Sequence, residues 1–154
     1  MEIKQLAVND TAPMDLLLLA DPSEEMILSY LRRGICYIAK WEHETVGVYV
    51  LLETRPNTAE IVNIAVATAH QGKGIGKTLI LHAIRLAKNL GYHTLEIGTG
   101  NSSIHQLALY QKCGFRLNYI EHNYFSKHYK EKIMENGIHC VDMIRLTMDL
   151  NDIS

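Results

Sequence analysis

The stretch Gln71-Gly72-Lys73-Gly74-Ile75-Gly76-Lys77-Thr78 constrains this chain most, because the apolar pattern changes period across it. Before it, Ala59 to Ala67 is rich in β-branched residues and reads as a strand. After it, Ile75, Leu79, Ala83, Leu86, Ala87 and Leu90 recur at helical spacing, and Gly91 stops the helix. A strand, a glycine turn and a helix in that order let backbone N–H groups face one hollow, and the helix start adds partial positive charge. Such a hollow suits a phosphate or pyrophosphate. Glycine turns also join strands to helices for steric reasons alone, so the surrounding sequence must decide.

Two familiar phosphate motifs fail here. Gly76-Lys77-Thr78 imitates the end of a P-loop, but the opening glycine of GxxxxGK[ST] would fall on Gln71, and no Mg²⁺-holding carboxylate is evident at a strand end. A dinucleotide fingerprint starting at Gly72 and Gly74 needs its third glycine at Lys77. The Q/R-x-x-G-x-G/A pattern fits, through Gln71, Gly74 and Gly76. In this the segment resembles the GNAT (GCN5-related N-acetyltransferase) superfamily. The resemblance continues through Asn101-Ser102-Ser103 and Leu109-Tyr110-Gln111-Lys112-Cys113-Gly114-Phe115, which look like the family's second acetyl-CoA motif. It covers Glu60 to Phe115, with Thr68 where many members have proline.

The resemblance implies a GNAT fold: an α/β (α+β) domain whose mixed, mostly antiparallel sheet contains a splayed parallel strand pair and is flanked by helices. Here the pair would be Ile61 to Ala67 and Tyr92 to Gly98, opening to admit the pantetheine arm of coenzyme A. It implies an N-acetyltransferase that moves acetyl from acetyl-CoA to a primary amine of a small molecule, peptide or protein, by direct attack in a ternary complex. A GNAT-fold module that binds acyl-CoA as a sensor without turnover is the alternative. Expected cofactor contacts are Gln71, Gly72, Lys73, Gly74, Ile75, Gly76, Lys77 and Thr78 at the pyrophosphate, and Ile64, Ala65, Val66, Asn101, Ser103 and Tyr110 along the pantetheine. A homodimer is a family-level expectation.

Acetyl transfer needs an acceptor nitrogen that has lost its proton, since an alkyl ammonium with pKa about 10.4 is not nucleophilic at neutral pH. It also needs a donor for the tetrahedral oxyanion and, usefully, a proton for the departing thiolate. Tyr110 resembles the family's general acid; a packing role beside Phe115 is the other reading. The backbone N–H of Val66 is expected near the oxyanion. Asn101 is expected to hold pantetheine through its amide, although an asparagine after a strand also serves as a helix cap. For the base, Glu60 at the start of the strand is the first choice, acting directly or through water. Asn63 can orient such a water, and Glu53, Glu121 and Asp142 are further carboxylates.

The rest of the chain supports one domain, residues 1–154, with one core. Glu2 to Val8 reads as a strand, Asp10 to Ala20 and Ser23 to Arg33 as helices, Ile35 to Trp41 and Val46 to Glu53 as a hairpin. A helix from Ser103 to Lys112, a strand from Phe115 through Glu121 and a last strand from Ile138 to Leu150 follow. The segment His122 to Gly137 is polar and aromatic, suited to walling an acceptor pocket or covering a subunit contact. A net charge of −2 provides no basic field for nucleic acid. No apolar run approaches the roughly 20 residues that span a bilayer, and Met1 to Gln5 lacks a leader pattern, so a cytoplasmic protein is expected. Cys36, Cys113 and Cys140 read as reduced, packed thiols, and the scattered histidines suggest no metal site.

Overall fold

A computed structural model describes residues 1–153. Strand β1 (Glu2–Gln5) is followed by helices α1 (Met14–Ala20) and α2 (Glu24–Arg33). Strands β2 (Ile35–Trp41), β3 (Glu44–Arg55) and β4 (Thr58–Val66) then run as an antiparallel meander. Helix α3 (Ile75–Asn89), strand β5 (Thr94–Gly100), helix α4 (Ile104–Lys112) and strand β6 (Arg116–Glu121) come next. The chain ends with a short helix α5 (Tyr124–His128), a small hairpin of β7 (Ile133–Glu135) and β8 (Ile138–Cys140), and β9 (Met143–Asp149). The main sheet has seven strands in the order β1-β2-β3-β4-β5-β9-β6, and β4–β5 is its parallel pair. No helix among the described residues is long and apolar enough to cross a membrane.

The centre of the sheet is buried on both faces. Val46 to Leu52 of β3 is therefore continuously apolar, its alternate side chains meeting different helices. On one face α3 and α4 pack Leu79, Ile80, Ala83 and Tyr110 against Tyr49, Ala59, Ile61, Leu95 and Leu146. On the other, α1 and α2 pack Leu16, Leu17, Ile27 and Tyr30 against Ile38, Val48, Val50 and Ala65. Helix α2 starts where Ser23 Oγ accepts the Met26 N–H at 3.2 Å, and Glu24 and Glu25 fill its first turn.

Two local features of β4 open the sheet. The β4–β5 ladder runs only from Thr58–Thr94 to Ile61–Ile97. From Val62 to Val66 the edge of β4 facing β5 has no ladder partner, while β5 stays paired with β9 to Gly100. The divergence begins at a bulge: consecutive Val50 and Leu51 on β3 face Asn63 and Ile61 on β4, leaving Val62 as the extra residue. A bulge bends its strand and raises its twist, which swings the end of β4 away from β5.

Several sequence expectations are corrected. Helix α1 begins at Met14 rather than Asp10, because Pro13 takes the N-cap position and Asp10 is used in a turn, accepting the Ala7 N–H at 3.1 Å. The stretch Ile138 to Leu150 is two strands in different sheets, not one. Segment 122–137, to which the sequence reading assigned no helix or strand, contains α5 and β7.

Candidate active site

The glycine turn lies at the end of the diverging strand. Gly72 and Gly74 adopt φ of +79° and +83°, a left-handed backbone that favours glycine, and Gly74 is the N-cap of α3. A Cβ built on either would meet nothing within 4 Å, so the hollow is open on that side. The Gly74 carbonyl accepts the Thr78 N–H at 3.1 Å and the Thr78 hydroxyl at 2.9 Å. The N–H groups of Ile75, Gly76 and Lys77 precede the first intrahelical donor, the Thr78 N–H, and face the helix mouth. Gln71 ties the turn to the splayed strand, its Nε2 donating to the Val66 carbonyl at 3.1 Å. The Thr78 side chain is thus spent inside the helix, whereas the backbone donors and Lys73 border open space.

Tyr110 projects from α4 into the core on the α3 face, 5% exposed and edge-on to Phe115 with ring centroids 6.4 Å apart. Burial, and secondarily Cys113, push its pKa above the usual phenol value, so the hydroxyl stays protonated at neutral pH. Glu60 lies on the opposite face, because strand alternation sends Ala59 and Ile61 toward α3 and Glu60 toward the α1–α2 side. Tyr110 and Glu60 therefore flank the sheet from opposite sides, beside the opening between β4 and β5.

Glu60 is not a free carboxylate. Arg145 of β9 donates from one terminal nitrogen to Glu60 Oε2 and from the other to Glu121 Oε1, both at 3.1 Å. Burial raises the Glu60 pKa above the ordinary carboxylate range, and the Arg145 guanidinium opposes that rise. The Tyr124 ring lies 5.5 Å from the guanidinium carbon, and Arg145 Nε is buried without a partner. Arg145 was not singled out from sequence. The available signal was its parity: in β9, Ile144, Leu146 and Met148 alternate, and Arg145 stands between them. Of the other carboxylates, Glu53 accepts the Tyr92 hydroxyl at 3.0 Å, and Asp142 accepts the Asn123 N–H at 2.9 Å.

Asn101 and Ser103 are committed elsewhere. The Asn101 side chain accepts the N–H groups of Val141 and Asp142 at 2.8 and 3.0 Å and donates to the His139 carbonyl at 3.1 Å. Its amide thus holds the segment after β8, with both acceptor positions of Oδ1 used and one Nδ2 hydrogen still free. Ser103 Oγ donates to Glu135 of β7 at 2.7 Å. These bonds seat the segment between Asn123 and Asp142 on the sheet, with Phe125 and Cys140 over Gly100.

A second polar chain borders the α1–α2 side. Asn63, 3% exposed, donates from Nδ2 to the Leu17 carbonyl at 3.0 Å and to the Tyr30 hydroxyl at 2.8 Å. Tyr30 donates to Asp21 Oδ2 at 3.1 Å, and Tyr129 reaches across to donate to Asp21 Oδ1 at 2.8 Å. Asn63 Oδ1 is buried with no partner. Tyr129, just after α5, is thus tied to the α1–α2 side through Asp21.

The pattern of the Acetyltransferase (GNAT) family matches residues 7–115. The chain is 63% identical over 136 residues to the Uncharacterized N-acetyltransferase YvbK of Bacillus subtilis (strain 168), covering 88% of each protein. The fold matches a GNAT family acetyltransferase from Elizabethkingia anophelis solved with acetyl-CoA bound, with TM-score 0.95 and 51% identity over 96% of this chain and 97% of that one. It also matches a Bacillus subtilis acetyltransferase solved in complex with CoA, with TM-score 0.91 and 58% identity over 96% and 97% of the two chains. An open glycine turn beside a diverging parallel strand pair, within a chain that these matches cover, places this protein in the GNAT family of acetyltransferases.

Proposed function

We propose that residues 1–154 act as one N-acetyltransferase domain that transfers acetyl from acetyl-CoA to a primary amine within a ternary complex. The observation that carries this reading is the end of the β4–β5 ladder at Ile61–Ile97, beside the open turn at Gly72 to Gly74. Relatives with 51% and 58% identity carry acetyl-CoA and CoA, which supports the same ligand here.

In this reading the pyrophosphate rests on the backbone donors from Gly72 to Lys77. Pantetheine follows the unpaired edge from Ile64 to Val66, with the Val66 N–H toward the oxyanion. The amine nitrogen attacks the thioester carbon and loses its proton to Glu60, directly or through water. The C–S bond then breaks, and the thiolate takes the Tyr110 proton; solvent exchange returns Glu60 and Tyr110 to their starting states. Burial makes Glu60 more basic; it keeps Tyr110 protonated at neutral pH while making the phenol a weaker acid toward the thiolate. Proximity of two bound reactants supplies most of the acceleration. A cytoplasmic setting and a homodimer belong to this proposal, the latter supported by exposed Leu117, Tyr119 and Ile120 on the outer strand β6.

The experiment is free-thiol release from acetyl-CoA with a panel of amines, run on wild type and Tyr110→Phe. Wild type is expected to release thiol with at least one amine, and Tyr110→Phe to keep acetyl-CoA affinity while losing about 10²-fold in kcat. Acetyl-CoA binding without thiol release from any amine would instead indicate the sensor. Unchanged kcat in Tyr110→Phe would make Tyr110 a packing residue.

A further inference from the structure

The α1–α2 face beside the β4–β5 opening carries an excess of carboxylates. On the α1–α2 face the carboxylates of Asp21, Glu60, Glu96 and Glu121 outnumber the guanidiniums of Arg55 and Arg145. Arg55 is held by Glu96 at 3.0 Å, and Arg145 is clamped on both terminal nitrogens by Glu60 and Glu121. An acceptor carboxylate would have to displace one of those glutamates to reach Arg145. Lys130 and Lys132 are exposed and line a different recess of about 210 Å³, with Phe125, Tyr129 and His139. Asp21 is buried and held by the Ser23 N–H and two phenols, with no cation among those partners.

Asn63 adds an independent sign of a ligand. Its nitrogen is fixed by the Leu17 carbonyl and the Tyr30 hydroxyl, which also settles which amide atom is oxygen. The oxygen is then left buried without a donor, in the splayed stretch of β4 and in the same polar chain as Asp21. A buried acceptor left bare beside that opening calls for an N–H partner. The same chain holds Tyr30 and Tyr129, with Tyr124 close to both; burial raises their pKa values, so they remain neutral and offer rings to a cation.

Resting on the acetyltransferase reading, we propose that the acceptor is an alkyl amine that carries no carboxylate, such as a diamine, and that Asn63 Oδ1 receives an N–H of the reacting nitrogen. The amine arrives as an ammonium, attracted by the carboxylates, and passes one proton through Glu60 to solvent before attack; Glu60, ionised again, takes the second as the C–N bond forms. Asn63 is a binding residue for the acceptor, and Glu121 sets specificity by occupying Arg145.

The test compares 1,4-diaminobutane with ornithine, which carries the same two amines and adds a carboxylate. The diamine is expected to show kcat/KM at least about tenfold above ornithine, since each tenfold step corresponds to an ordinary charge-pair difference at a partly buried site. Glu121→Gln frees one side of Arg145, and should narrow the ratio about tenfold through a gain for ornithine. Asn63→Ser should raise KM for the diamine about tenfold while leaving KM for acetyl-CoA within a factor of two or so. If Asn63→Ser does not fold, the Glu121→Gln comparison decides. Equal or better use of ornithine by wild type, or a fixed ratio in Glu121→Gln, would overturn the proposal. So would inactivity toward both amines in a protein that still binds acetyl-CoA by calorimetry, which would leave the cofactor reading standing; failure to bind acetyl-CoA would sink both.

Discussion

Glu60 sits under two opposing influences, desolvation that favours its neutral form and Arg145 that favours its charged form, with desolvation the larger. A base works when unprotonated, so a raised pKa shifts the acid-side loss of activity to higher pH. The kcat/KM of wild type should therefore fall as pH drops through a value above the ordinary glutamate figure of about 4.3. Glu60→Gln removes that ionisation and keeps the shape. It should lower kcat/KM about 10²-fold at neutral pH and recover part of it at high pH, where more amine is already deprotonated. A variant with the wild-type pH–rate profile would move the base to another carboxylate or to none. At this scale the sequence was a partial guide. Glu60 was legible because it opens a strand leading to a recognisable turn. Its partner Arg145 was not, since the two are 85 residues apart in the chain and meet only through sheet order. The bonds of Asn101 were hidden for the same reason: its side-chain oxygen is engaged by Val141 and Asp142, some 40 residues downstream.

Among the elements, those defined by local chemistry were readable. Helix α3 follows from its apolar spacing and its glycine N-cap, and α2 from the Ser23 cap and first-turn acids. The break between β8 and β9 was hidden because Asn101 takes the Val141 and Asp142 N–H groups. No local signal reports a competitor supplied from elsewhere. The strand–turn–helix unit around Gly74 carries the clearest element-level prediction. Valine at 74 would force a β-branched residue into φ near +83° and put methyl groups where a Cβ meets only open space. The strain costs roughly 1–2 kcal/mol, tolerable for the fold. Gly74→Val should bind acetyl-CoA at least about tenfold more weakly by calorimetry, a loss of about 1.4 kcal/mol. Wild-type affinity in a folded variant would remove this turn from the cofactor site.

For the whole molecule, the consequence lies in how the two halves of the sheet are joined. Strands β1 to β4 form one antiparallel unit and β5, β9 and β6 another; the Thr58–Thr94 to Ile61–Ile97 ladder links them, together with the His93 and Thr94 N–H groups that donate to the Asn57 carbonyl just before it. Below the opening, the halves are also held by α3-face packing of Ala59, Ile61, Leu95, Ile97 and Leu146. Above it, β4 keeps β3 but has no partner on its β5 side from Val62 to Val66. A ligand lying along that edge contacts both halves in the folded chain and neither in the unfolded one, so it stabilises by mass action. At 100 times its Kd this amounts to about 2.7 kcal/mol. For a chain of this length each kcal/mol moves Tm by about 2–4 °C, so saturating acetyl-CoA should raise Tm by roughly 5–10 °C. The rise should grow with the logarithm of ligand concentration, and free phosphate alone should reproduce little of it, since phosphate reaches the glycine turn but not the edge from Val62 to Val66. Hydrogen exchange should show new protection concentrated at those residues. A Tm that ignores acetyl-CoA, or a rise matched by phosphate with no protection along β4, would show that the ligand does not bridge the sheet.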